Sequence, residues 1–293
     1  MADWRDYQAW RGEQRHTVVG RLKVLPGLAS PQLGNRRDLL VYLPPSYGLA
    51  GRRYPVLYMQ DGQNLFDAAT SFAGEWQVDE TMETLSLEGI EAIVVGLPNA
   101  GAERLDEYSP FRVARLGGGR AQAYLNFLIE TVKPLIDADF RTCPQRERTG
   151  IVGSSLGGLI ALYAFFAQPE TFGLVGAMSP SLWFGRAAIF DFVQGAPLLP
   201  GRIYLDAGTR EVGSGRGGLS WRTAGSRRYY AGVRRMQRLL VKKGYRPRRD
   251  LLYVEEKEAG HEEAAWARRL PRALRFLLAE ARPWGQPLGV ARP

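Results

Sequence analysis

Ser155 lies in Gly153-Ser154-Ser155-Leu156-Gly157, a G-x-S-x-G spacing. A strand-like run, Thr149 to Val152, precedes it, and a helix-like run, Leu159 to Phe166, follows. A chain that reverses sharply from strand to helix leaves the central serine at the tip of a strained turn. Side chains two residues to either side would collide there, and glycine removes them. The following helix points its free N–H groups and the positive end of its dipole at the serine, so negative charge developing there is stabilised. The chemistry this suits is acyl transfer through a serine nucleophile. Ser154 carries the same hydroxyl in the wrong register and reads as a packing neighbour.

A serine hydroxyl needs a base to take its proton, and the base needs an acid to orient it. The sequence holds two histidines. His261 comes just after a strand-like run at 250–255 and just before a helix-like run at 262–279, which places it to act as the base. His16 lies in an irregular polar tail and reads as incidental. The acid is expected in the loop after the strand that precedes the histidine's own, giving the chain order Ser, acid, His. Two carboxylates compete. Glu211, in the turn Gly208-Thr209-Arg210-Glu211, is favoured over Asp206 at the end of the strand. Glu255, Glu256 and Glu258 are too close to His261 in the chain and read as a solvated acidic run. An oxyanion formed at Ser155 needs two backbone donors. Leu156 should supply one, and Gln63 or a close neighbour the other.

These groups need a frame. Strand-like runs at 17–25 and 38–43 look like antiparallel strands leading into a parallel sheet. From 55 to 279 strands and helices alternate. The strands are at 55–59, 90–97, 149–152, 172–178, 202–207 and 250–255, and the helices at 78–88, 121–137, 159–166, 227–243 and 262–279. Pro134 would kink or restart the second of these helices. The parallel strands are apolar throughout, as strands covered on both faces should be. The prediction is one α/β domain over 1–280, with helices on both faces of the sheet, and a flexible tail over 281–293. Residues 1–16 are expected to pack loosely, and the glycine-rich stretch after Glu211 to be mobile.

Ligand sites in open α/β sheets lie beyond the carboxyl ends of the strands. Candidate substrate contacts there are Asp61 after the first parallel strand and Trp76, with Phe72, in the next loop. Arg104, Glu107 and Tyr108 follow in the long polar segment 98–112, and Trp183 in the segment after the 172–178 strand.

Bulk composition narrows the alternatives. Lys and Arg total 39 against 30 acids, a net charge of +9, carried almost wholly by scattered arginine. No helix-turn-helix, zinc-finger or aromatic-basic pattern accompanies that charge, so no nucleic-acid partner is expected. Cys143 is the only cysteine, which rules out an internal disulfide. With two histidines and no Cys/His ligand spacing, neither a metal nor a cofactor is expected. There is no signal-peptide pattern and no run of membrane-spanning length, so a cytoplasmic protein without a membrane partner is expected, possible as a homo-oligomer.

Several segments, in this order, resemble the esterase family related to enterochelin esterase and esterase D, with feruloyl and acetyl-xylan esterases and mycolyltransferases as more distant members. They are PVLYMQDGQNLFD at 55–67, GLPNAGAERLDEYSPF at 96–111, GIVGSSLGGLIALYAF at 150–165, GAMSPSLWF at 176–184, YLDAGTRE at 204–211 and AGHEEAAW at 259–266. The resemblance implies an α/β-hydrolase fold, Ser155 as nucleophile, His261 as base and an acid in the G-x-x-[DE] turn, here Glu211. It places the oxyanion-hole amides at Gln63 and Leu156. No large lid insertion of the lipase kind is visible, which suggests small or exposed acyl esters. Only about 50 residues precede the first core strand, too few for the accessory domain of the siderophore esterases, so a siderophore role is not expected. A small-molecule ester is the expected partner. The same triad would serve an acyltransferase, a thioesterase or a peptidase, and the scaffold could also act as a non-catalytic binding protein.

Overall fold

The computed structural model describes residues 2–12, 15–49, 51–212 and 219–279. In chain order the strands are β1 (Arg5–Asp6), β2 (Arg21–Ser30), β3 (Asn35–Leu43), β4 (Val56–Gln60), β5 (Ile93–Leu97), β6 (Thr149–Ser154), β7 (Leu174–Met178), β8 (Arg202–Arg210) and β9 (Leu251–Gly260). The helices are α1 (Tyr7–Arg11), α2 (Val78–Ser86), α3 (Arg104–Tyr108), α4 (Ala121–Asn126), α5 (Lys133–Asp139), α6 (Leu156–Ala167), α7 (Ile189–Gly195), α8 (Leu219–Lys243) and α9 (Glu263–Leu278). Among the described residues the strands join in one sheet, ordered β1-β2-β3-β5-β4-β6-β7-β8-β9. β1, β2, β3 and β5 pair antiparallel; from β5 to β9 every pairing is parallel.

Alternation along the strands splits the core in two. Val41, Val56, Tyr58, Ile151 and Ile203 face a cluster shared with α4 to α8. Tyr42, Leu57, Met59, Val152 and Tyr204 face a second cluster built with α1, α2 and α9. The expected alternation and the two helical layers are both present. α4 and α5 are linked by a π-helical stretch, Phe127–Val132, that ends just ahead of Pro134. Proline has no N–H to donate to a regular i−4 bond, so the irregularity beside it has a local cause.

Four expectations change. β8 and β9 run on to Arg210 and Gly260, where those two residues pair across a register shift after Gly208. The acid turn and the histidine are thus the ends of two neighbouring strands. The acidic run on β9 is not simply solvated, because Glu255 pairs with Arg234, Glu256 with Arg268 and Arg269, and Glu258 with Arg210. The N-terminal segment is tied down: the Trp4 indole N–H donates to Asp139, and Tyr7 is buried with its hydroxyl donating to Asp67. His16 is not incidental either, since its Nδ1 lies 2.7 Å from Asp67 Oδ2. These partners are about fifty or more residues away in the chain, beyond any local pattern. The segment 281–293 and residues 213–218 of the glycine-rich stretch lie outside the described residues.

Asp67 is fully buried and also accepts from the backbone N–H of Thr17 and Ala69. Burial opposes its ionisation, but the bonds from Ala69, His16 and Tyr7 outweigh it and hold the carboxyl below the usual range. Asp67→Ala removes the acceptor that gathers this segment. It should cost about 3 kcal/mol, read from urea unfolding.

Candidate active site

Ser155 leaves β6 with φ 57° and ψ −119°, outside the regions an L-residue prefers. Its N–H donates to the Met178 carbonyl and its carbonyl accepts from Ser181, both bonds fixing the strained turn. A Cβ on Gly153 would lie 2.6 Å from the Gly157 carbonyl carbon, so the collision foreseen from the spacing is real. Leu156 opens α6, and its N–H has no intrahelical acceptor by position. The Ser155 hydroxyl lies 3.1 Å from the Ser181 hydroxyl.

The Glu211 carboxylate is buried at the end of β8, where its Oε2 lies 2.6 Å from His261 Nδ1. Its Oε1 accepts from the Ser179 hydroxyl and from the Gly208 backbone N–H. With a carboxylate oxygen as the acceptor of this contact, Nδ1 is its donor and Nε2 is left with the lone pair. The imidazole is packed edge-on against Trp266, centroids 5.0 Å apart, and against Tyr229 at 5.4 Å. The Tyr229 hydroxyl donates to the Ser179 carbonyl. Burial, then Glu211, raises its pKa well above the ordinary phenol value, so it stays neutral.

Asp206 occupies a different place. It is fully buried on β8, accepts from the Ser179 N–H and the Tyr204 hydroxyl, and pairs with Arg269 Nε at 2.8 Å. Burial pushes its carboxyl upward and Arg269 opposes that shift. Arg269 in turn donates to the Ser179 hydroxyl, the group that donates to Glu211. Of the two carboxylates proposed from the sequence, Glu211 therefore meets His261, while Asp206 anchors the arginine behind it. Arg269→Ala would leave Asp206 buried and unpaired, and should lower stability by about 3–5 kcal/mol in chemical denaturation.

Asp61 follows β4 in the left-handed conformation, φ 56°. Arg104 holds it bidentately, Nε to Oδ1 at 2.6 Å and Nη2 to Oδ2 at 2.7 Å, and Asn99 donates to Oδ1. Gln63 lies in the 3-10 turn that follows, Gly62–Asn64. That turn packs directly on the end of β5, because a Cβ on Gly62 would sit 2.6 Å from Pro98 N. Trp183 is 58% exposed on the rim of a cavity of about 740 Å³. Pro180, Leu182, Phe190, Tyr229 and Arg235 are among its lining residues. Tyr229 is shared by this cavity and the histidine.

Three expected substrate contacts are corrected. Glu107 is fully buried and closed off by Arg37, which donates to both its oxygens. Tyr108 is buried beneath the site, its hydroxyl accepting from the Asp61 N–H. Trp76 is 2% exposed and packs on Trp266, behind the histidine. All three fall in segments that the sequence reads as loops at the right end of the sheet, but Glu107 and Tyr108 lie on the buried side of α3, and chain position alone does not tell an outward side chain from an inward one. Sequence reasoning also missed Ser179, Ser181, Tyr229 and Arg269. For Arg269 a signal existed, since it stands three residues after Trp266 on the apolar stripe of the last helix, where a charge needs a buried partner.

The model of the family described as "Putative esterase" matches residues 30–277. The chain is 33% identical over 192 residues to the uncharacterized protein YbbA of Bacillus subtilis, covering 63% of this chain and 72% of that one. It is 32% identical over 143 residues to the siderophore triacetylfusarinine C esterase of Aspergillus fumigatus, which spans 46% of this chain and about half, 47%, of the relative. The solved siderophore hydrolase EstA from Aspergillus nidulans superposes with a TM-score of 0.71 at 19% identity, over 91% of this chain and 98% of that one. Among the described residues no helix is long and apolar enough to cross a membrane. With a mostly parallel sheet, antiparallel N-terminal strands and a serine at the strand-to-helix turn, the chain has the α/β-hydrolase fold and belongs to this family of ester-hydrolysing enzymes.

Proposed function

We propose that the protein is a serine carboxylic-ester hydrolase working through an acyl-enzyme, with Ser155, His261 and Glu211 as its triad. The observation that carries this is the 2.6 Å contact between His261 Nδ1 and a fully satisfied Glu211, on the same edge of the sheet as the strained Ser155. Glu211 fixes the tautomer that leaves Nε2 free to accept the serine proton. For that transfer the Ser155 hydroxyl turns from Ser181 to Nε2, and attack on the ester carbonyl follows. The oxyanion is met by the N–H groups of Leu156 and Gln63, each contributing about 3 kcal/mol as the carbonyl becomes tetrahedral. His261 then protonates the departing alcohol, and water drawn to the same base releases the acid.

The apolar bulk of one side of the ester occupies the cavity beside Tyr229, with Trp183 at its rim. The other side is small. Chain length does not argue against a siderophore-type ester in the way the sequence alone suggested, since the siderophore hydrolase EstA is matched over 98% of its length. The test is a panel of p-nitrophenyl esters from acetyl to decanoyl. Turnover falling with acyl length is expected. A folded protein inert on every ester would sink the hydrolase reading in favour of acyl transfer to a specific acceptor or of binding alone.

A further inference from the structure

Glu75, Asp79 and Glu80 bring carboxylate oxygens within 4.8 Å of one another, on the α2 side of the sheet and away from the triad. Glu75 and Glu80 are half-buried and Asp79 is fully buried. Asp79 Oδ2 accepts from the Val19 N–H at 2.7 Å, and Glu75 Oε2 from the Thr17 hydroxyl at 3.0 Å. Each residue nevertheless keeps one buried oxygen that accepts from no N–H or O–H of another residue, Glu75 Oε1, Asp79 Oδ1 and Glu80 Oε2, with the Asp79 and Glu80 carboxyl groups in hydrogen-bond reach of each other. Among the described residues no Arg, Lys or His forms an ion pair with any of the three, although the chain carries 39 basic residues. Buried polar atoms are nearly always satisfied, and buried charge is nearly always paired. Three bare oxygens converging from three carboxylates need a positive occupant.

We propose that Glu75, Asp79 and Glu80 form a structural binding site for one hard divalent cation, Ca²⁺. The donor set is oxygen alone, with no histidine or cysteine in the group, which favours Ca²⁺, Mg²⁺ or Mn²⁺ over Zn²⁺ or Cu²⁺. Ca²⁺ binds oxygens at about 2.3–2.6 Å, so two ligands on one ion can stand up to about 5 Å apart, and the cluster fits that span. Mg²⁺ demands near-ideal octahedral geometry at about 2.0–2.1 Å, a closer set than this one requires. The competing occupant is the proton. Burial, with Glu80 alongside, pushes Asp79 up to about 9, and burial pushes Glu75 up to about 7. A cation satisfies all three oxygens at once, whereas a proton shared between two carboxylates leaves the third bare.

The site sits at a junction. Asp79 and Glu80 lie in the first turn of α2, Glu75 precedes Trp76 in the loop, and Val19 and Thr17 hold the chain entering β2. Trp76 packs on Trp266, which packs on His261. A bound cation would therefore fasten three segments behind the active site without touching substrate.

The experiment treats the full-length protein with EDTA, desalts it, and adds CaCl2 or MgCl2 at about 1 mM. Retained metal is counted by mass spectrometry after gel filtration, and the thermal midpoint is recorded. The expected result is one Ca²⁺ retained per chain and a midpoint raised by about 5 °C, less with Mg²⁺. Glu75→Gln and Glu80→Gln, half-buried and nearly isosteric, should fold and lose most of both effects. No retained Ca²⁺ and a midpoint indifferent to it would overturn the proposal. So would a Glu80→Gln midpoint above wild type with or without Ca²⁺, the signature of carboxylates that share protons. A larger rise with Mg²⁺ than with Ca²⁺ would overturn the choice of ion.

Discussion

Ser155→Ala should lower kcat on p-nitrophenyl acetate by about 10⁶-fold and abolish covalent labelling by a fluorophosphonate, with the fold intact. The fold should survive because the hydroxyl makes one bond, to Ser181 at 3.1 Å, while the turn itself is held by backbone bonds from Ser155 to Met178 and Ser181. The strained φ of 57° is no harder for alanine than for serine. A small residual turnover above the buffer rate is expected, because Leu156 and Gln63 still offer their amides although no acyl-enzyme can form. Ser154 and Ser181 are the two hydroxyls that could stand in. Ser154 is buried inside β6 and Ser181 is buried as well, so neither should rescue the variant. Turnover within tenfold of wild type in the mutant would remove Ser155 from the mechanism and leave His261 without a nucleophile.

How much of this was legible in the sequence follows from the range over which each feature is encoded. The elbow is local. Gly153, Ser155 and Gly157 are close in the chain, and the clash that makes glycine necessary is between residues four apart. The alternation of buried strands with amphipathic helices is local as well, and the architecture and the sheet's parallel half followed from it. What failed was pairing over long separations. Asp67 with Tyr7 and His16, Glu107 with Arg37, and Asp206 with Arg269 are charge or hydrogen-bond pairs 51 to 70 residues apart. A single sequence gives no means of matching one arginine among many to one buried acid. The choice between Glu211 and Asp206 was of the same kind. Their chain positions differ by five residues, yet the register shift after Gly208 turns one carboxylate to the histidine and leaves the other facing Arg269.

That geometry sets the second large effect. Glu211→Gln should lower kcat by about 10⁴-fold with little change in KM, and should be at least as damaging as Glu211→Ala. The reason lies in the oxygen that does not touch the histidine. Oε1 accepts from the Gly208 backbone N–H, a donor that cannot reverse, and from the Ser179 hydroxyl, which is itself the acceptor of an Arg269 N–H. A glutamine must therefore place its carbonyl oxygen at the Oε1 position and its NH2 at the Oε2 position, 2.6 Å from His261 Nδ1 in the wild type. An NH2 there forces Nδ1 to accept, which moves the ring proton to Nε2, the atom that in the proposed mechanism takes the proton of Ser155. Alanine removes the orienting group but imposes no wrong tautomer, so its histidine still samples the productive form. Asp206→Asn is the contrast. It weakens the pair with Arg269 and should destabilise the protein, yet the folded fraction should keep most of its kcat. If Asp206→Asn lowers kcat in folded protein more than Glu211→Gln does, the acid of the triad is Asp206, and the short contact between Glu211 and His261 is structural.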